Sequence, residues 1–148
     1  MKMKKTVFLM LAVSISLMAC GTANTEAPGM QKAGAETTVV YSLEANDVSF
    51  DKNGAVTVDA GDVTLLLREE IIDEENVSTE DFIEGGIEEQ IEFTTAEPEM
   101  TRRDGTTVVA DEYLFRSLES GTDIDLKITE DLRSRLQLDT CNLTIHVK

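Results

Sequence analysis

Tryptophan is absent from this chain, histidine occurs once, and proline and cysteine occur twice each. With two Tyr and five Phe, aromatic residues are too few to suggest a carbohydrate-stacking face. No Cys-x-x-Cys or His-x-x-x-His spacing occurs, which removes the usual zinc arrangements. The lone histidine, His146, has only Thr144 and Lys148 as local neighbours on its face. Nucleophile–base catalysis needs a base oriented by a third group, so no catalytic role is expected for it. No apolar run reaches the roughly 20 residues of a membrane-spanning helix. Cations are scarce, at 13 Lys and Arg against 29 Asp and Glu. A chain of that sign is repelled by nucleic acid and by anionic headgroups.

The longest apolar run, Thr6 to Ala19, follows the basic head Met1-Lys2-Met3-Lys4-Lys5 and ends in Leu17-Met18-Ala19-Cys20. A basic head, an apolar middle and small residues before a cut site are the parts of a secretory signal peptide. The last four residues resemble the lipobox of bacterial lipoproteins, with an aliphatic residue three before the cysteine and a small one directly before it. That resemblance covers the first twenty residues and names no family for residues 21–148. It implies cleavage before Cys20, a diacylglycerol on the Cys20 thiol, and an extracytoplasmic, membrane-anchored protein on the cell surface or the periplasmic face. Two acyl chains anchor stably where one does not, since each buried CH2 contributes about 0.8 kcal/mol.

Residues 1–19 therefore form the expected signal peptide, and residues 20–36 the lipidated cysteine and a tether. The tether is rich in Gly, Ala, Thr and Glu, with an r.m.s. reach of about 20–25 Å. Residues 37–148 form one domain. Loss of Lys2, Lys4 and Lys5 with the leader takes the formal charge from −16 to about −19. Cys141 is then alone, without cationic neighbours to activate it, and is expected to be a small buried apolar residue in the last strand. No cofactor is implied, and the domain is expected to be a monomer.

From Thr37 onward the sequence reads as short strands between turns. Thr37–Leu43 is β-branched and aromatic. Val48–Phe50 and Val56–Val58 alternate on either side of Asp51-Lys52-Asn53-Gly54, which predicts a hairpin. Asp51 resembles the start of an EF-hand-type loop, but Gly54 comes too early and no closing Glu follows. Val63–Leu67 predicts a central strand able to run on through Ile72. Ser78-Thr79-Glu80-Asp81 predicts a capping box and one or two helical turns, closed by Gly85-Gly86. Ile87, Ile91 and Phe93 have strand-like spacing. Met100–Val109 predicts a second hairpin turning at Asp104-Gly105. Asp111–Gly121 fits a strand slightly better than a helix capped by Asp111. Thr129–Leu138 is open between the two. Asp123–Ile128 and Leu143–Val147 alternate cleanly. The sum predicts a mainly β fold: a single antiparallel β-sandwich, Ig-like or jelly-roll-like, with one or two short helices.

From Glu69 to Thr101 the chain has 13 Asp and Glu and no Lys or Arg. Such self-repulsion costs stability unless something is gained. Its bland interpretation is a solvated edge. Its functional interpretation is a docking face for a basic envelope protein, centred on Asp73, Glu74, Glu75, Glu80 and Asp81 beside the capping-box loop. The expected function is a non-enzymatic, lipid-anchored cell-envelope binding or accessory module. A Ca2+-dependent adhesive or structural module would use the same acids, although no metal-ligand set is legible. A carboxylate-dependent envelope hydrolase is the third possibility, since acids abound but no pair stands out.

Overall fold

The computed structural model describes residues 37–148. The expected lipidation site Cys20, the signal peptide and the tether lie outside the described residues. In chain order the strands are β1 (Val39–Ala45), β2 (Val48–Ser49), β3 (Ala55–Val58), β4 (Gly61–Ile71), β5 (Ile91–Phe93), β6 (Glu99–Asp104), β7 (Val108–Leu118), β8 (Asp123–Ile128) and β9 (Asn142–Val147). One helix, α1 (Glu130–Leu136), lies between β8 and β9, and single 3-10 turns form at Thr79–Asp81 and Ile87–Glu89.

The strands make a mainly β, two-sheet sandwich. One sheet runs β2-β1-β4-β7-β6 and is antiparallel throughout. The other runs β3-β9-β8-β5. Alternation puts Tyr41 and Leu43 of β1, Val63, Leu65 and Leu67 of β4, and Tyr113 and Phe115 of β7 inside. They share one core with Val56 and Val58 of β3, Ile124 and Leu126 of β8, and Leu143 and Ile145 of β9. Phe93 of β5 packs edge-on against Tyr113 and Phe115, with ring centroids at 5.0 and 5.5 Å. A fully buried Leu such as Leu65 contributes about 1.5–3 kcal/mol through removal of its side chain from water.

The expected hairpin at Asp51–Gly54 is instead a corner between sheets. β2 pairs with β1, whereas β3 pairs with β9 in parallel, the one parallel ladder in the sandwich. Asp51 Oδ1 closes the corner, accepting from the amides of Asn53 (2.9 Å) and Ala55 (3.0 Å). Gly54 adopts φ +82° and lies so near β9 that a Cβ would sit 2.7 Å from the Asn142 carbonyl oxygen. The tight hairpin falls earlier, at Asn46-Asp47 between β1 and β2, where both residues have positive φ. Asn and Asp tolerate that region, and a two-residue turn of this hand matches strand twist. The hairpin at Asp104-Gly105 is present between β6 and β7.

Three local expectations resolve or change. Asp111–Gly121 is strand as far as Leu118, the end of β7. Thr129–Leu138 is helix, because Thr129 Oγ1 caps the Leu132 amide at 3.2 Å, Leu132 is fully buried, and Gln137 ends the turn at φ 60°. Ile87 belongs to a 3-10 turn rather than a strand, since Gly86 turns the chain immediately before it. Ile87 is still buried, so the apolar spacing was real but its period was misleading.

Candidate functional site

The acidic stretch leaves the sheet where β4 ends. Residues 72–90 then form an arch that returns to the sandwich at β5. Its departure is set by the Ile72 amide, which donates to the Thr38 carbonyl at 2.8 Å. Side chains of β1, α1 and the arch itself tie down the rest. Tyr41 Oη accepts from the Ile83 amide at 2.7 Å and donates to Glu69 Oε2 at 2.8 Å. Burial pushes the Tyr41 phenol well above its ordinary pKa, and the bond to Glu69 adds to the rise. Arg135 of α1 donates to the carbonyls of Asp81 and Phe82, while its guanidinium lies 5.3 Å from the centroid of the Tyr41 ring. Gln90 is buried and donates to the carbonyls of Glu84 (3.0 Å) and Gly86 (2.8 Å). Thr129, the cap of α1, donates its hydroxyl to the Gln90 side chain and its amide to the Gln90 carbonyl. Ile83 and Ile87 fill the space beneath.

The five expected docking residues separate on this arch. Asp73 accepts from Asn76 Nδ2 at 2.7 Å and holds the first turn. Asp81 accepts from the Ser78 amide (2.7 Å) and hydroxyl (3.0 Å), so the capping box forms around a single 3-10 turn. Glu74, Glu75 and Glu80 are exposed, and none has an ion-pair partner among the described residues. Among the described residues no three Asp, Glu, His or Cys side chains converge as a metal-ligand group.

A second cluster was not legible in the sequence as a site. Asp111 of β7 is fully buried, and Arg102 of β6 forks onto it through Nε and Nη2, the latter at 2.7 Å. Arg102 Nη1 also reaches Glu88 Oε2 at 2.6 Å. The two carboxylates hold the Arg102 guanidinium above its already high ordinary pKa. The Tyr113 hydroxyl lies 3.4 Å from Asp111 Oδ2, and its pKa is pushed up to about 12, chiefly by burial and then by the Asp111 charge. The available sign was parity: Asp111 sits on the same side of β7 as Val109, Tyr113 and Phe115. Chemically the cluster is a closed ion-pair chain that fastens Glu88 of the arch to the sandwich.

The remaining polar groups form local pairs. His146 Nδ1 lies 2.7 Å from Asp123 Oδ1 across β8 and β9, on the solvent side. Cys141 is half-buried and lies just ahead of β9, not within it. Its thiol donates to Glu130 Oε2 at 2.9 Å, and burial, with the Glu130 contact, pushes its pKa up. On the outer face of the five-stranded sheet, Leu66, Val108 and Ala110 line a shallow groove beside Arg68 and Arg103. Both arginines are paired, with Glu70 at 3.1 Å and Glu112 at 2.8 Å. No helix among the described residues is long and apolar enough to cross a membrane.

No protein-family model matches this chain, and no curated protein or solved structure matches it.

Proposed function

We propose that this protein is a lipid-anchored binding or accessory module of the cell envelope, tethered through Cys20, that captures a basic partner protein with Glu74, Glu75 and Glu80. One observation carries the reading. The arch is fixed at Ile72 and again from Asp81 to Gln90, and between these points Glu74, Glu75 and Glu80 stand in solvent with no ion-pair partner among the described residues. Charges held on a supported loop attract an oppositely charged partner at little ordering cost, which acts mainly on association rate. Asp73 and Asp81 shape the loop and are positioning residues. The anchor rests on Leu17-Met18-Ala19-Cys20.

The test has two arms. Cys20→Ala abolishes fatty-acid labelling and releases the protein from the membrane; retained labelling and retention refute the anchor. The triple variant Glu74→Gln, Glu75→Gln, Glu80→Gln keeps the melting temperature and slows capture of the partner from native membranes at low salt. The difference from the wild type shrinks at 1 M salt, where the Debye length is about 3 Å. Unchanged capture at low salt refutes the docking face. A large rise in melting temperature with Ca2+, reversed by EDTA, would favour the Ca2+-dependent alternative.

A further inference from the structure

The four strands at the sheet edges are β2, β3, β5 and β6, and β6 is the longest of them, with six residues. An outer strand presents a row of unpaired backbone groups and is a template for another strand. Proteins blunt such edges with charge, and β6 carries Glu99, Arg102, Arg103 and Asp104. Arg102, however, turns inward and is neutralised by Asp111 and Glu88. Five of the six residues are exposed, among them Met100, an unusual side chain to leave 52% accessible on an open edge.

We infer that β6 is a homodimerisation edge, pairing antiparallel with β6 of a second copy about a two-fold axis through Thr101. The register follows from strand geometry. In an antiparallel ladder the backbone groups of alternate residues point to one edge. Two identical edges related by a two-fold axis can therefore match only residues of equal parity, so the axis passes through a residue, not between two. An axis at Arg102 sets Thr101 against Arg103 and Met100 against Asp104, and forms no opposite-charge pair. An axis at Met100 sets Glu99 against Thr101 and puts Arg103 opposite Glu97, which lies before Pro98 and outside β6, so its opposite-charge pair falls beyond the strand. An axis at Thr101 sets Glu99 opposite Arg103 of the second copy, twice, and Thr101 opposite Thr101. It also sets Met100 beside the aliphatic stem of the partner copy's Arg102.

Side chains of matched residues share a face. Glu99, Thr101 and Arg103 lie on the outer face with their β7 partners Leu114, Glu112 and Ala110. There Glu99 already accepts from Arg116 at 3.1 Å and Arg103 donates to Glu112 at 2.8 Å. Pairing joins these into two rows of alternating sign: Arg116, Glu99, then Arg103 and Glu112 of the other copy. Opposite-charge pairs facing each other across strands are favourable, and like charges there are not. The two five-stranded sheets become one, and the monomer expectation gives way to a two-fold dimer. This inference does not depend on the arch or on the lipid anchor.

The experiment uses the full chain carrying Cys20→Ser and Cys141→Ser. Adding Thr101→Cys places two thiols on the axis, with Cβ atoms about 5 Å apart, and mild oxidation gives a covalent dimer. Met100→Cys in the same background crosslinks far less. In sedimentation velocity, Arg103→Glu or Glu99→Arg alone raises the dimer dissociation constant by about tenfold or more, equivalent to about 1.4 kcal/mol. The double variant Glu99→Arg, Arg103→Glu restores dimerisation. The swap leaves each chain's own contacts to Arg116 and Glu112 repulsive, so recovery reports the contact between copies. A monomer at all concentrations, preferential crosslinking through Met100→Cys, or a double variant no better than the singles overturns the inference.

Discussion

Arg102 and Asp111 are register partners on β6 and β7 whose side chains meet inside the sandwich, with Arg102 Nη2 donating to Asp111 Oδ2 at 2.7 Å. Asp111 is fully buried, while the Arg102 side chain keeps 26% of its surface. A buried carboxylate is tolerated only if paired and hydrogen-bonded. The pair therefore ties β6, the outermost strand, to the core. Through Glu88 it also ties down the far end of the acidic arch.

Removing the cation is expected to cost more than removing both charges. Arg102→Met leaves the Asp111 carboxylate buried without a counter-charge, at about 3 kcal/mol or more. The double variant Arg102→Met, Asp111→Leu recovers much of that loss. Urea denaturation of the wild type, Arg102→Met, Asp111→Leu and the double variant measures the coupling; additive losses would mean that the two side chains act independently.

Alkaline pH is expected to unfold the domain through its tyrosines. The chain has only two, Tyr41 and Tyr113, and both phenols are raised above the ordinary value near 10. A group whose folded pKa is raised stabilises fully below its unfolded pKa. That contribution is lost as pH climbs from about 10 toward the Tyr113 value of about 12. Phenolate absorbance should appear together with loss of the β circular dichroism. Phenolate formation at pH 10 with the fold intact would refute this.

Arg135→Lys is expected to loosen the arch without unfolding the sandwich. Lysine keeps the charge but lacks the planar fork that reaches the carbonyls of both Asp81 and Phe82. Amide hydrogen exchange should quicken over residues 78–90, while the amides of β4 and β8 keep their protection. Unchanged exchange in the arch would show that its other ties, Tyr41, Gln90 and the Arg102–Glu88 pair among them, hold it without the Arg135 fork.

Gly54→Ala is expected to destabilise by about 1–3 kcal/mol. The residue sits at φ +82°, and the added Cβ would press on the Asn142 carbonyl, the Leu143 side chain and the Thr140 methyl. A melting temperature within a degree of the wild type would show that the corner relaxes freely.

Alternation was enough to specify the layered β architecture. In Asp123–Ile128 and Asn142–Val147 every second side chain is apolar, and those are the buried ones. Residue chemistry also identified the turn at Asp104-Gly105 and the capping pair Ser78 and Asp81, because both depend on contacts a few residues apart. Partners distant in sequence were decided only by the tertiary structure. Asn53-Gly54 has the chemistry of a hairpin, yet it became a corner, because β9 lies against it and the β2 edge does not. Asp111 also suits a helix cap, if slightly less well than a strand, and only the fold places Arg102 of β6 across from it. The 13 acids from Glu69 to Thr101 look alike in sequence. Folding assigns Glu69 to Tyr41, Glu88 to Arg102 and Glu99 to Arg116, and leaves Glu74, Glu75 and Glu80 in solvent. Local patterning sets strand identity and facing because side-chain direction alternates with the chain itself. Which carboxylate remains available depends on where the few arginines arrive, and they arrive from other strands and from α1.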